Sequence, residues 1–150
     1  MYKILVFISM LLFSTGAFAQ KTNDVNLEKA RCLISASASF ELIALNALPA
    51  YKQASAGGQE EDELGLLVLD AATLHGKISL LANSSFKNEL SDVIGNQLVR
   101  DIQHTVQLFK TGNSEISKNS KELLNKNGVN LEDNVEKAEE QLNRYLALLN

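Results

Sequence analysis

The sequence predicts an all-α protein, an antiparallel bundle of four to five helices that follows an N-terminal signal peptide. Its composition is rich in Leu, Ala, Glu and Lys and contains one proline, which favours helices. Apolar residues recur at intervals of three and four, the spacing of one helical face. No stretch alternates apolar and polar residues as a half-buried strand does.

Residues 1–19 have the three parts of a secretory signal peptide. Lys3 precedes the apolar run of residues 4–13, and the Ala-Phe-Ala triplet of residues 17–19 supplies small side chains for cleavage. This order is typical of a signal that is removed after export. A membrane anchor would need about 20 apolar residues. We therefore expect a single mature domain, residues 20–150, in the periplasm or secreted.

Charge and cysteine content exclude several classes of partner. The chain has 14 basic and 18 acidic residues, a net charge of −4. Nucleic-acid affinity rests on clustered Lys and Arg, so we expect no nucleic-acid partner. We expect no segment after the signal to be long and apolar enough for stable membrane insertion of the mature chain. A single cysteine, Cys32, cannot form an internal disulfide.

The first helix is predicted within residues 25–51, the longest apolar-periodic run of the chain. At 100° per residue its core stripe consists of Leu27, Ala30, Ile34, Ala38, Leu45 and Leu48. Pro49 disfavours helical geometry in the residue before it. We therefore expect this helix to weaken at Leu48.

The second helix is predicted from the acidic residues 60–63 to about residue 81, because a first helical turn favours negative charge. Its core stripe consists of Leu64, Leu67, Ala71, Leu74 and Ile78, and three further residues widen its apolar surface, Leu66, Leu69 and Leu80. Residues 83–85 are expected to form a turn. The third helix is then predicted from about residue 86 to about residue 110, with a stripe of Leu90, Ile94, Leu98, Ile102 and Val106.

The C-terminal part predicts one short and one long helix. Ser114 can cap a segment that ends before Gly128, a natural residue after a helix end. This 114–126 segment is either a fifth helix or a broken part of the fourth. Asn130 is the next N-cap candidate, and apolar residues follow it at steps of four and three, Leu131, Val135, Ala138, Leu142, Tyr145 and Leu149. Such a stripe is typical of a helix that faces a bundle.

No constellation for catalysis or cofactor binding is evident. If the second and third helices form a hairpin, His75 and His104 are separated by about 12 residues in height, or roughly 18 Å, and cannot share one ion. Asp101 and His104 have the i, i+3 spacing of di-iron sites, but the second such pair is missing. A c-type haem would need a second cysteine. We therefore expect no metal, no cofactor and no enzymatic activity.

Two residues of the first helix are unusual. Cys32 projects near the border of the apolar face, either as a small packed hydrophobe or as a reactive thiol that could link a homodimer. Glu41 lies within the apolar stripe, level with about Gln97 and a turn away from Arg100. It is paired with them inside the core, or it anchors a ligand pocket or partner surface, or the stripe is open to solvent there.

The sequence favours a small exported helical protein that binds another protein, such as an inhibitor, an immunity-type protein or an adaptor. The alternative is a carrier or sensor of a small ligand with a pocket near Glu41, for which Gln97 and Arg100 are the other candidate binding residues. A large exposed apolar patch would favour the protein partner. An enclosed pocket reached by these side chains or by a histidine would favour the ligand.

Overall fold

A computed structural model describes the backbone of residues 2–87 and 91–149 and the side chains of residues 24–87 and 91–149. Five helices follow one another, α1 (Tyr2–Gln53), α2 (Gln59–Phe86), α3 (Asp92–Ser114), α4 (Lys118–Lys126) and α5 (Leu131–Ala147). No strand occurs in these two backbone ranges, which confirms the all-α class. The predicted signal peptide, residues 1–19, lies outside the described side chains, and its removal stays a prediction.

The short segment before α5 is a separate helix with its own caps. The Oγ atom of Ser117, rather than Ser114, accepts a hydrogen bond from the N–H of Ser120 (3.2 Å) at the start of α4. Gly128 follows α4 with φ 73°, a left-handed conformation that favours glycine. As predicted, Asn130 caps α5, because its Oδ1 accepts from the N–H of Asp133 at 3.1 Å.

The first three helices extend beyond their predicted ends. α1 continues past Pro49 to Gln53, where Ala50 is fully buried and Tyr51 packs against the core. Burial of this last turn offsets the backbone hydrogen bond that a proline removes. α2 likewise continues through the predicted turn at residues 83–85 and buries Ser85. Tertiary packing thus overrides the local signals for a helix end.

The four longer helices are arranged in a ring in the order α1, α2, α3, α5, in which each helix contacts two neighbours. α1 contacts α2 and α5, and α3 contacts the same two neighbours, whereas α1 and α3 share no close backbone contact among the described residues. Gln103 donates to Asn143 (2.7 Å) and Lys110 to Glu139 (3.0 Å), so α3 and α5 run antiparallel. The short α4 packs at one end against α1 and α2.

The core lies between these four helices. The rings of Phe40 and Phe109 meet edge to face across the diagonal, with centroids 5.6 Å apart and an interplanar angle of 89°. The predicted core stripe of α2 is fully confirmed, and α5 buries Val135, Ala138 and Leu142 as predicted. The prediction for α3 is only half correct. Ile102 and Val106 are buried, Ile94 and Leu98 are exposed, and Leu90 lies outside the described residues. The remaining buried positions of α3 are Gly95, Val99 and Phe109.

Of the predicted core stripe of α1, only Ala30 is buried. Ile34 and Leu45 are 58% and 59% exposed, and they lie on the outer side of the helix. The core side includes the fully buried residues Leu33, Ala36, Phe40, Ile43 and Ala47. α1 is apolar on both sides, so its periodicity does not tell which side faces inward.

α1 and α2 therefore carry more apolar surface than the core uses. Asp24–Gln53 and Gln59–Phe86 each reach a mean hydropathy of 1.4 and are long and apolar enough to cross a membrane, which corrects the expectation that no such segment follows the signal. A core helix of a soluble protein satisfies the same criterion. In each of these helices we consider the 18-residue stretch that meets this criterion. Only 44% of that stretch is buried in α1 and 33% in α2, so much of this apolar surface faces outward.

Candidate functional site

The three predicted binding residues do not come together. Glu41 is exposed on the outer side of α1. On the surface of α3, Gln97 donates to Asp101 (3.0 Å) and Arg100 donates to Asn96 (2.7 Å). Because Glu41, Gln97 and Arg100 are all exposed, the predicted polar tie in the core is wrong. The apolar stripe around Glu41 is open to solvent, as the last of the three interpretations of this residue expects.

Cys32 lies inside the protein. Its side chain is 2% exposed, and this burial raises the pKa of the thiol above its ordinary value. The thiolate is the form that reacts with disulfides and electrophiles. A thiol so placed is a packed core residue, and a homodimer linked through Cys32 would require α1 to separate from its neighbours.

A polar cluster that the sequence did not reveal lies between α1 and α2. Ser37 Oγ is 2.9 Å from His75 Nδ1 and 2.7 Å from Ser79 Oγ. His75 Nδ1 is also 3.3 Å from the Ser37 carbonyl oxygen. A carbonyl oxygen only accepts hydrogen bonds, so we assign the imidazole proton to Nδ1.

This assignment makes the cluster a structural tie rather than a catalytic pair. A nucleophilic serine gives its proton to the histidine and reaches a substrate. Ser37 instead donates to the backbone carbonyl of His75 (3.0 Å) and is 3% exposed. The sequence contains no local motif for this contact, because Ser37 and His75 meet only through the register of α1 and α2.

Glu63 holds α4 against α2. Its Oε2 accepts hydrogen bonds from the N–H and Oγ of Ser117 (3.0 and 2.7 Å) and from Ser120 Oγ (2.6 Å). Burial alone would raise the pKa of Glu63, but the hydrogen bonds from Ser120 and Ser117 outweigh it and lower the pKa to about 2. The carboxylate is therefore charged where it contacts the first turn of α4.

The outer side of the α1–α2 pair forms an apolar surface, here called the hairpin face. It consists of Leu27, Ile34, Leu45 and Leu48 of α1 and Leu69 and Leu80 of α2, which are 37–71% exposed.

The register of the two helices places these residues at matched heights. Ser37 contacts His75, and a Cβ atom on Gly65 would lie 3.3 Å from the Tyr51 ring, so α1 and α2 run antiparallel. Counting residues from these contacts places Ile34 level with Leu80 and Leu45 level with Leu69.

The middle of the hairpin face carries the charged Glu41 on α1 and small side chains on α2. The same counting places Glu41 level with Thr73, between the two apolar levels. Ala72 and Gly76 lie nearby on α2, and a Cβ atom on Gly76 would have no neighbouring atom within 4 Å. The face thus has large apolar side chains towards both ends and short side chains of α2 at its centre.

A cleft between α3, α4 and the start of α5 is the second feature that could bind a molecule. Its volume is about 430 Å³, within the range of small-molecule sites. Its floor consists of the buried side chains Phe109, Ile116, Leu124, Val129 and Val135. Lys110 and Lys121 lie at the rim, where Lys121 Nζ donates to the Ser114 carbonyl at 3.0 Å. Glu41 does not line this cleft.

A metal site is not evident within residues 24–87 and 91–149. No group of three or more His, Cys, Asp or Glu side chains in these ranges lies close enough to hold an ion. His104 is exposed on α3, whereas His75 is half-buried against α1.

Comparisons of the chain with protein families, with curated proteins and with solved structures gave no match.

Proposed function

We propose that this chain is a small exported helical protein that acts by binding another protein through the hairpin face. The observation that carries the proposal is the size of this apolar surface. From Leu27 to Leu48 it is about 32 Å long, and two adjacent helices make it about 20 Å wide. This outline of roughly 600 Å² in projection encloses Glu41 and Thr73 as well as the apolar side chains. Monomeric soluble proteins rarely expose larger apolar patches unless these patches bind something.

The proposed mature protein comprises residues 20–150, an antiparallel helical bundle in the periplasm or secreted. The order of charge, apolar run and Ala-Phe-Ala in residues 1–19 supports export. The net charge of −4 supports a protein partner rather than nucleic acid. The hydrogen bonding of Ser37 supports a binding protein rather than a hydrolytic enzyme.

A small-ligand carrier is the second candidate function. The cleft between α3, α4 and α5 favours it, since an apolar floor with a polar rim suits a small amphiphilic molecule. The binding residues of such a carrier would be Phe109, Val135 and their neighbours in the cleft, instead of Glu41, Gln97 and Arg100.

Photo-crosslinking in the producing cells tests the proposed function. A photoreactive amino acid placed at Leu45 is expected to form a covalent adduct with a protein. The same amino acid at Leu108 of α3 is the matched control, because the two leucines are 59% and 60% exposed. No adduct is expected from position 108.

Three results would contradict parts of the proposed function or favour the alternative. Irradiation that yields no protein adduct from position 45 would contradict binding through the hairpin face. A small molecule retained by the purified protein in native mass spectrometry, and lost when Val135→Phe fills the cleft, would favour the carrier. A mature N-terminus other than Gln20 would contradict the proposed cleavage site.

A further inference from the structure

We propose that the partner of the hairpin face is a second copy of this chain, packed face to face about a twofold axis that runs along the helices. The inference rests on the proposed function, because it assumes that the hairpin face binds protein. A twofold contact uses the same surface on both copies, so this surface must be complementary to itself.

The matched heights of α1 and α2 supply this self-complementarity. A twofold axis parallel to the helices places α1 of one copy on α2 of the other. The rotation leaves the position of every residue along the helix direction unchanged. Ile34 then faces Leu80 of the second copy, and Leu45 faces Leu69. Glu41 lies level with Thr73 of the second copy rather than opposite the other Glu41, so like charges are kept apart.

Gly76 leaves room for a helix as the occupant. A glycine inside a helix weakens it relative to alanine, and such a residue is usually explained by close packing. Within the chain nothing lies within 4 Å of the Cβ position of Gly76. A helix of the second copy can approach the backbone of α2 there, next to Ala72, as small residues allow in helix pairs.

The area of the face also fits a dimer. Two copies would cover roughly 600 Å² each in projection, which comes to about the lower limit of 1,200 Å² for stable interfaces. The open space at Gly76 allows the close approach of a helix, which a lipid surface does not require. Moreover, the net charge of −4 opposes binding to an anionic membrane.

Sedimentation equilibrium of the mature chain, residues 20–150, tests the dimer. The expected result is twice the monomer mass at micromolar concentration. The double variant Leu45→Glu/Leu69→Glu is expected to raise the dimer dissociation constant by at least about 100-fold, since buried charges are costly. Leu108→Glu, equally exposed but on α3, is expected to leave the constant unchanged.

Gly76→Ala gives a result that a general change of stability cannot imitate. The variant is expected to unfold at a higher temperature because alanine favours the helix. At the same time its dimer dissociation constant is expected to rise about 10-fold, because the new methyl groups separate the helices. Gly112→Ala in α3 is the control, since nothing lies within 4 Å of its Cβ position either. It is expected to raise the unfolding temperature alone.

A wild-type chain that is monomeric up to about 100 µM would overturn the dimer. So would a dimer that the double variant leaves intact. If the crosslink at Leu45 then joined the chain to a different protein, the proposed function would stand and only the self-association would fall. A monomer that co-sediments with phosphatidylcholine–phosphatidylglycerol vesicles, and loses this binding in the double variant, would assign the face to membranes instead.

Discussion

Replacement of Phe40 by alanine is expected to lower the free energy of unfolding by about 3–5 kcal/mol. Phe40 is fully buried, and its ring packs edge to face on Phe109 at 5.6 Å. This contact joins α1 to α3, which lie diagonally across the core. Removal of the ring leaves a cavity where the surrounding helices cannot close without moving. Urea denaturation of residues 20–150 measures the change.

Leu42→Ala is the control on the same helix. Leu42 is 50% exposed. Its truncation is therefore expected to change the free energy of unfolding by about 0.5–1 kcal/mol at most. Equal losses in the two alanine variants would contradict the core position of Phe40. If Phe40→Ala does not fold, Phe40→Leu keeps the test open, with an expected loss of about 1–2 kcal/mol.

Replacement of Glu63 by alanine is expected to lower the free energy of unfolding by about 2–3 kcal/mol at neutral pH. Ser120 is fully buried, and its hydroxyl would lose the carboxylate that accepts from it at 2.6 Å. Ser117 would lose the same acceptor at the start of α4. Glu60→Ala is the control in the same turn of α2, because Glu60 accepts only one side-chain hydrogen bond across to α4, from Asn119, and little change is expected.

The contribution of Glu63 is also expected to depend on pH. Its pKa falls from the ordinary value of 4.5 to about 2 in the folded chain. A lowered pKa contributes stability that is fully present above pH 4.5 and is lost as the pH falls from 4.5 towards 2. Glu63→Gln cannot ionise, so the stability difference between wild type and variant should shrink within this window. A difference that stays constant down to about pH 3 in urea denaturation would contradict the hydrogen bonding of the charged Glu63 to Ser117 and Ser120.

The sequence predicts those helices whose apolar residues lie on one side. α5 combines a single buried stripe with the N-cap Asn130, so periodicity and capping determine both its position and its orientation. α2 buries its predicted stripe although Leu69 and Leu80 are exposed on its outer side, and its end at Phe86 lies beyond the predicted turn. α1 is different, because Ile34 and Leu45 repeat as regularly as the buried Leu33 and Phe40. Only contact with α2 and α5 decides which side is inside.

This error in orientation also misplaced Glu41. Counting residues also gave it the wrong height on α3, because α2 ends at Phe86 rather than at about residue 81. Its neighbour Phe40 meets Phe109, twelve residues beyond Gln97, and Glu41 itself is exposed. Other contacts depend on pairs of helices and leave no trace in the sequence. A Cβ atom on Gly95 would lie 2.6 Å from Tyr145 Oη, and Ser37 meets His75. Each pair is more than 35 residues apart in the chain, so no local pattern indicates it.

The position of α5 has a consequence for the order in which the protein can fold. α1 and α2 are made first and can pair while synthesis continues, since residues 54–58 join them directly. One side of α1 nevertheless stays uncovered until the last helix arrives, because α5 packs against it and against α3. Leu142 and Tyr145 are therefore needed before the core is closed, and a chain cut off before residue 131 would leave that side of α1 in water.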